Sequence, residues 1–271
     1  MPPNDAIDVA ELRQELVRPG GLWQKVDLVA ETGSTNADLA ARARDGGAPG
    51  TVLITDYQSA GRGRQGRTWT APPGSGIAMS ILLRPDGIDP RRWTWLSLLA
   101  GLAVADGVRR VANLPAVLKW PNDVLVASRK LCGILSERVD TSRGPACVVG
   151  IGINVSLDDH QLPVPSATSL AIAAREHSGV LPSRTAVIAT VLAAFELLYG
   201  RWESQAGDDA SLAASYVERC DTIGRQVRVE LSGQRSVEGI ADRIDADGRL
   251  VIRTTSGSAV YGAGDVVHLQ S

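Results

Sequence analysis

Between two strand-like runs, TVLITDY (51–57) and GIAMSILL (76–83), the chain carries QSAGRGRQGRTW, residues 58–69. Gly61, Gly63 and Gly66 are interleaved there with Arg62, Arg64 and Arg67, and no aspartate or glutamate occurs from Tyr57 to Pro85. Any fold for this chain must hold that loop between two strands. Glycine lets the backbone take positive φ and turn its N–H groups onto a ligand. Arginine adds planar forks of donors that suit phosphate and carboxylate. The loop therefore reads as an anion clamp. It is not a P-loop, because the G-x-x-x-x-G-K-[ST] spacing is absent and no lysine follows the last glycine. The plain alternatives are a mobile surface loop or an RGG-like nucleic-acid tail, but such a tail should be longer and repeated. With three like charges and no apolar anchor, residues 61–67 are expected to be mobile when empty and to order over a bound anion.

Composition narrows the classes. The 271 residues allow one large domain or two unequal ones, and 44 % apolar content can fill a core. A net charge of −2 argues against a general binder of nucleic acid or membrane surface, so the positive charge is local. Cys132, Cys147 and Cys220 form no CxxC pair, and His160, His177 and His268 are scattered. The acidic, proline-broken start lacks the basic and apolar regions of a signal peptide. No run reaches the ~18 unbroken apolar residues of a membrane span. These features fit a cytoplasmic protein without DNA or membrane partners.

Read in order, a short helix is expected from Asp5 to Val17 and a strand over 24–30. Ser34-Thr35-Asn36 then opens a helix, either as a plain cap or as a polar binding cluster. A long helix covers Arg91 to Val111. In LKWPNDVLVASRKLCGILSERV (118–139), Pro121-Asn122-Asp123 makes a turn between short strands. Lys119 and Lys130 fall near the same turns, and Gly133 permits a close backbone approach. ACVVGIGINV (146–155) carries Gly150 and Gly152 on one side, leaving room for a flat ligand or for tight packing. Helices follow at 169–176, 185–202 and 212–217. From Gly224 the pattern is all β, with turns at Ser232-Gly233, Asp247-Gly248 and Ser256-Gly257. Four or five short strands there suggest a small SH3-like barrel.

In this order, ETGSTN, YQSAGRGRQGRTW, KWPNDV, KLCGIL and GIGINV resemble the biotin–protein ligases, strongly over Val29 to Val155. The match is nearest to the short bacterial form without a DNA-binding domain; the repressor form and the related lipoate–protein ligases are the rivals. The resemblance implies an α+β fold, a mixed, mostly antiparallel sheet with flanking helices related to class II aminoacyl-tRNA synthetases. This catalytic domain would span 1–219, with its core at 24–155, and the SH3-like barrel 220–271. It implies activation of biotin by MgATP to biotinyl-5′-AMP, then transfer to a lysine of the biotin carboxyl carrier domain of acyl-CoA carboxylase. By the same resemblance biotin would contact Ser34, Thr35, Asn36, Gln58, Arg62, Gly63, Arg64, Lys130, Gly133, Gly150 and Gly152. ATP and the adenylate would use Arg62, Arg64, Arg67, Trp69, Asn122 and Asn154. Lys130, Arg64 and Lys119 would be catalytic, and Asp123 would serve Mg²⁺.

Overall fold

The computed structural model describes residues 5–231 and 235–269; Met1 to Asn4 and the turn expected at Ser232-Gly233 lie outside them. The first helix, α1 (Val9–Leu16), begins later than expected because Asp8 caps it, accepting from the N–H groups of Ala10 and Glu11. It buries Leu12 and Leu16. β1 (Lys25–Thr32) and β2 (Thr51–Gln58) run parallel, which requires a crossover, and α2 (Thr35–Arg44) supplies it. The remaining strands of the large sheet pair antiparallel. They are β3 (Gly76–Leu83), then, after α3 (Thr94–Ala112), β4 (Ala116–Lys119), β5 (Asp123–Val126), β6 (Arg129–Thr141) and β7 (Gly144–Asn154). The seven-stranded order is β1-β2-β3-β7-β6-β5-β4, the mixed, mostly antiparallel arrangement expected.

Side-chain alternation decides which face holds the core. Val52, Ile54, Ile81, Val149, Ile151 and Ile153 point to one face and join the main core with residues of α3. Their neighbours Leu53, Leu82, Ala146 and Val148 point to the other and pack under Leu39, Ala40 and Ala43 of α2. Further along β7, on this second face, the apolar residues give way to Gly150 and Gly152. A cavity can therefore open beyond the start of α2.

Three more helices follow: α4 (Leu170–His177), α5 (Arg184–Ser204) and α6 (Ala210–Arg219). Gly107 of α3 lets α5 approach, since a Cβ there would lie 2.9 Å from Val191 Cγ2. Of the described helices, α5 alone is long and apolar enough to cross a membrane. Its Val187, Ile188, Val191, Leu192, Phe195 and Trp202 are instead buried in the core.

The C-terminal strands are β8 (Gln226–Leu231), β9 (Arg235–Ile244), β10 (Leu250–Thr254), β11 (Gly257–Tyr261) and β12 (Asp265–His268). They form an antiparallel sheet in the order β11-β10-β9-β8-β12. The expected barrel is not closed among the described residues, because the outer strands β11 and β12 do not pair with each other. β12 has only four residues, and the start of that strand is engaged by the arginine loop instead. The sheet is tied to the larger one by indole N–H groups: Trp95 donates to Ala246 O at 2.9 Å and Trp120 to Gly248 O at 3.1 Å.

Candidate active site

Every residue that the resemblance assigns to the site lines one cavity of about 460 Å³, in the size range of small-molecule sites. It lies on the α2 side of the large sheet, between the start of α2, the ends of β5 to β7, the arginine loop and the start of β12.

The α2 end of the cavity is a hydrogen-bonded chain. The Gln58 side-chain carbonyl accepts from Thr35 N–H at 2.9 Å and lies 3.1 Å from Thr35 Oγ1. Ser80 Oγ lies 2.7 Å from Thr35 Oγ1 and 2.6 Å from Asn36 Oδ1. Asn36 Nδ2 donates to Leu135 O at 3.1 Å and to Glu137 Oε2 at 2.7 Å. Ser34 caps α2, its hydroxyl accepting from Ala37 N–H. Ser80 and Glu137 were not singled out from sequence. Ser80 is a lone hydroxyl in an apolar strand, and β3 pairs it with Gly150.

The glycines allow close packing, one of the two readings left open by the sequence. A Cβ on Gly150 would collide with Asn36 Oδ1, and one on Gly152 would lie 2.5 Å from Trp69 Cε2. A Cβ on Gly133 would be 3.1 Å from Trp69 Cζ3 and 3.2 Å from Lys130 Nζ. Gly150 therefore seats Asn36, while Gly133 and Gly152 seat the indole of Trp69. All three glycines also line the cavity.

The loop is held by hydrogen bonds within itself and by partners elsewhere in the chain. It folds back on itself: Gly63 N–H donates to Arg67 O at 2.6 Å and Trp69 N–H to Gly61 O at 2.9 Å. Positive φ is taken only by Gln65 and Gly66, at 54° and 74°. Gly61 is needed for a different reason, since a Cβ there would strike Trp69 O. The arginines do not simply repel one another, because each has a partner supplied from elsewhere in the chain. Arg62 reaches Glu137 at 3.4 Å, and Arg67 binds both carboxylate oxygens of Asp265 at 2.7 Å. Arg64 donates to Asn122 Oδ1 at 3.0 Å and to Gly264 O at 3.3 Å. Burial pushes the Arg64 guanidinium pKa down, with Arg67 adding to the effect and Asp265 and Asp123 opposing it. An anion beside Arg64 would restore what burial takes away.

Lys130 Nζ stands 2.6 Å from Asp123 Oδ1, a contact of charges without an aligned hydrogen bond. Asn122 Nδ2 donates to Ile134 O, and Asn154 Nδ2 to Thr168 O. Both side chains therefore also brace the walls. Lys119 lies at the end of β4, near His268, whose pKa burial and the Lys119 charge push down. Asp265 and the segment from Pro163 to Ala167 also line the cavity and carried no signal in the sequence. Among the described residues no group of three His, Cys, Asp or Glu side chains is arranged to hold a metal. Asp123, the residue expected to serve Mg²⁺, lines the cavity and is paired with Lys130.

Comparison with known proteins gives concordant matches. Residues 34–154 match the biotin/lipoate A/B protein ligase family, and residues 222–269 the biotin protein ligase C-terminal domain. The chain is 42 % identical to the biotin–[acetyl-CoA-carboxylase] ligase of Mycobacterium tuberculosis, over 97 % of this chain and 96 % of that one. It is 35 % identical to the bifunctional ligase/repressor BirA of Bacillus subtilis, over 88 % of this chain and 71 % of that one. Among solved structures it is similar to a biotin protein ligase from Aquifex aeolicus in complex with biotin and ATP. The TM-score is 0.75 at 25 % identity, covering 92 % of this chain and 100 % of the other.

Proposed function

The chain belongs to the biotin protein ligase family, and on that premise we propose that it activates biotin with MgATP and passes it to acetyl-CoA carboxylase. In the first step a biotin carboxylate oxygen attacks the α-phosphorus of ATP, forming biotinyl-5′-AMP and releasing pyrophosphate. In the second, the amine of a lysine on the biotin carboxyl carrier domain attacks the acyl carbonyl. An amide forms, AMP leaves, and the lysine gives up a proton.

The observation that carries this reading is the meeting, in one cavity, of a polar end and a cationic end. Ser34, Thr35 and Gln58 supply polar groups to the cavity, and Arg62, Arg64 and Lys130 supply cations. A bicyclic urea with a carboxylate tail needs both. Ser34, Thr35, Asn36 and Gln58 are assigned to the ureido ring, and Gly133, Gly150 and Gly152 to the strands beneath it. Two anions, carboxylate and triphosphate, must be brought together, and fixed cations at Arg62, Arg64 and Lys130 offset their repulsion. Arg67, Trp69, Asn122 and Asn154 are assigned to the nucleotide, with Lys119 beside it. Magnesium enters as part of the substrate MgATP, with the phosphates as its main ligands. The mixed anhydride must be kept from water, and the arginine loop over the cavity suits that task. No nucleophilic side chain is required for either step. We assign the enzyme to the cytoplasm, without DNA or membrane partners, a reading supported by its unpaired cysteines and its net charge of −2.

The test is transfer of labelled biotin. With ATP, the protein should release pyrophosphate and label a carrier domain. Lipoate in place of biotin should give neither, and lipoate supporting the faster reaction would overturn the assignment.

A further inference from the structure

Glu137 belongs to neither set of assigned residues, yet one of its oxygens touches both. Oε2 accepts from Asn36 Nδ2 at 2.7 Å and from Arg62 Nη2 at 3.4 Å. The alternation of β6 puts Glu137 on the same face as Gly133 and Leu135. Its side chain is about one-third exposed, and that of Arg62 about one-half, at 32 % and 47 %. Proton accounting shows what the carboxylate does for Asn36. Glu137 and Leu135 O can only accept, so both amide protons of Asn36 are spent on them. Oδ1 must then face Ser80, whose single proton goes to it. Ser80 is left with lone pairs toward Thr35 Oγ1. The polarity of the chain from Asn36 to Thr35 is thereby set before any ligand arrives.

We propose that Glu137 is a positioning residue shared by the two halves of the site: it orients Asn36 for the ring and restrains Arg62 until an anion takes it. The inference rests on the ligase reading above. The two duties of Glu137 have opposite consequences for the two substrates. Toward the ring, its acceptor oxygen helps. Toward the nucleotide, its negative charge competes with phosphate for Arg62 and repels it. An incoming phosphate draws Arg62 away and leaves Oε2 wholly to Asn36.

The two duties separate in two variants, followed by pyrophosphate release with biotin and MgATP varied in turn. In Glu137→Gln the amide carbonyl can still accept from Asn36, so the KM for biotin should stay within about twofold of wild type. The lost charge frees Arg62, and the KM for MgATP should fall by about two- to fivefold, the scale of a half-exposed ion pair. In Glu137→Ala the acceptor is gone as well, and the KM for biotin should rise by about tenfold. The KM for MgATP should fall as it does in the Gln variant. A purely structural residue would not give changes of opposite sign, nor rescue of one substrate alone by glutamine. Both KM values unchanged, or both raised together in folded protein, would overturn the proposal. A thermal melt reports folding, and should the alanine variant not fold, the glutamine variant alone decides through its fall in KM for MgATP. Wild-type protein that releases no pyrophosphate with biotin and MgATP would instead remove the ligase reading itself, and this inference with it.

Discussion

At the α2 end of the cavity, Thr35, Asn36 and Ser80 are 3 %, 4 % and 0 % exposed and joined by hydrogen bonds. At the loop end, the side chains of Arg62 and Arg67 are 47 % and 59 % exposed, and their partners lie 75 and 198 residues further along the chain. A buried network in which every polar group is satisfied is costly to rearrange. Exposed ion pairs are worth at most about 1 kcal/mol each and exchange readily. The first end, assigned above to the ring, is thus preorganised by its own hydrogen bonds. The second is a set of cations held by exchangeable partners. Binding at the first end should need little rearrangement, whereas binding at the second should proceed by substitution of carboxylate and carbonyl by phosphate. A ligand at the loop end would therefore replace contacts made within the chain.

Lys130→Ala should break this comparison most severely, because it removes one of the cations assigned to offset the meeting of carboxylate and triphosphate. Loss of one preorganised charge-stabilising group is expected to cost about 2–4 kcal/mol in adenylate formation. Pyrophosphate release with an unchanged thermal melt would show it, and a normal rate would remove Lys130 from its assigned role.

Arg64→Gly should act on the loop end alone. Its guanidinium is half-buried, and a charge-assisted hydrogen bond to phosphate is worth about 1.5–3 kcal/mol. The adenylate should dissociate faster while the affinity for free biotin changes little. Weaker biotin binding with an unaltered adenylate off-rate would reverse the assignment of the two ends.

Gly150→Ala should act on the ring end alone. The new methyl meets Asn36 Oδ1 and must push it off Ser80. Overpacking of this kind costs about 1–3 kcal/mol, which calorimetry would read as weaker biotin binding. Tryptic cleavage of the arginine loop should be unaffected.

Asp265→Asn should give the smallest effect. It weakens the two-oxygen grip on Arg67, worth up to about 1 kcal/mol at this exposure. Cleavage at Arg62, Arg64 and Arg67 in the ligand-free protein should speed up modestly. Biotin with ATP should protect wild type and variant alike; equal rates with and without ligands would show that the loop is not a cover.

Much of this was legible in the chain. The alternating runs around 51–57 and 76–83 gave strands, the Gly/Arg loop gave the cationic end, and Ser34-Thr35-Asn36 gave both a helix cap and a polar wall. These are local signals, carried by side-chain period and residue type over a few positions. The partners of the loop arginines, Glu137 and Asp265, were not legible because they lie far along the chain. Strand count says nothing of which edges of the C-terminal sheet meet, and among the described residues its outer strands do not pair.

The sequence by itself determined the element types, the polar and cationic inventory of the site and the family, since these depend on residue identity and spacing. Tertiary structure alone decided how they face one another, and Lys130 shows why. Strict alternation along β6 would turn it to the same side as Cys132, into the core. Instead the pairing with β5 slips, Val124 opposing Cys132 and Leu125 opposing Lys130, so that one residue is left over. That extra residue turns Lys130 toward Gly133 and Asp123. A bulge depends on the register of two strands, and register is a property of the assembled sheet.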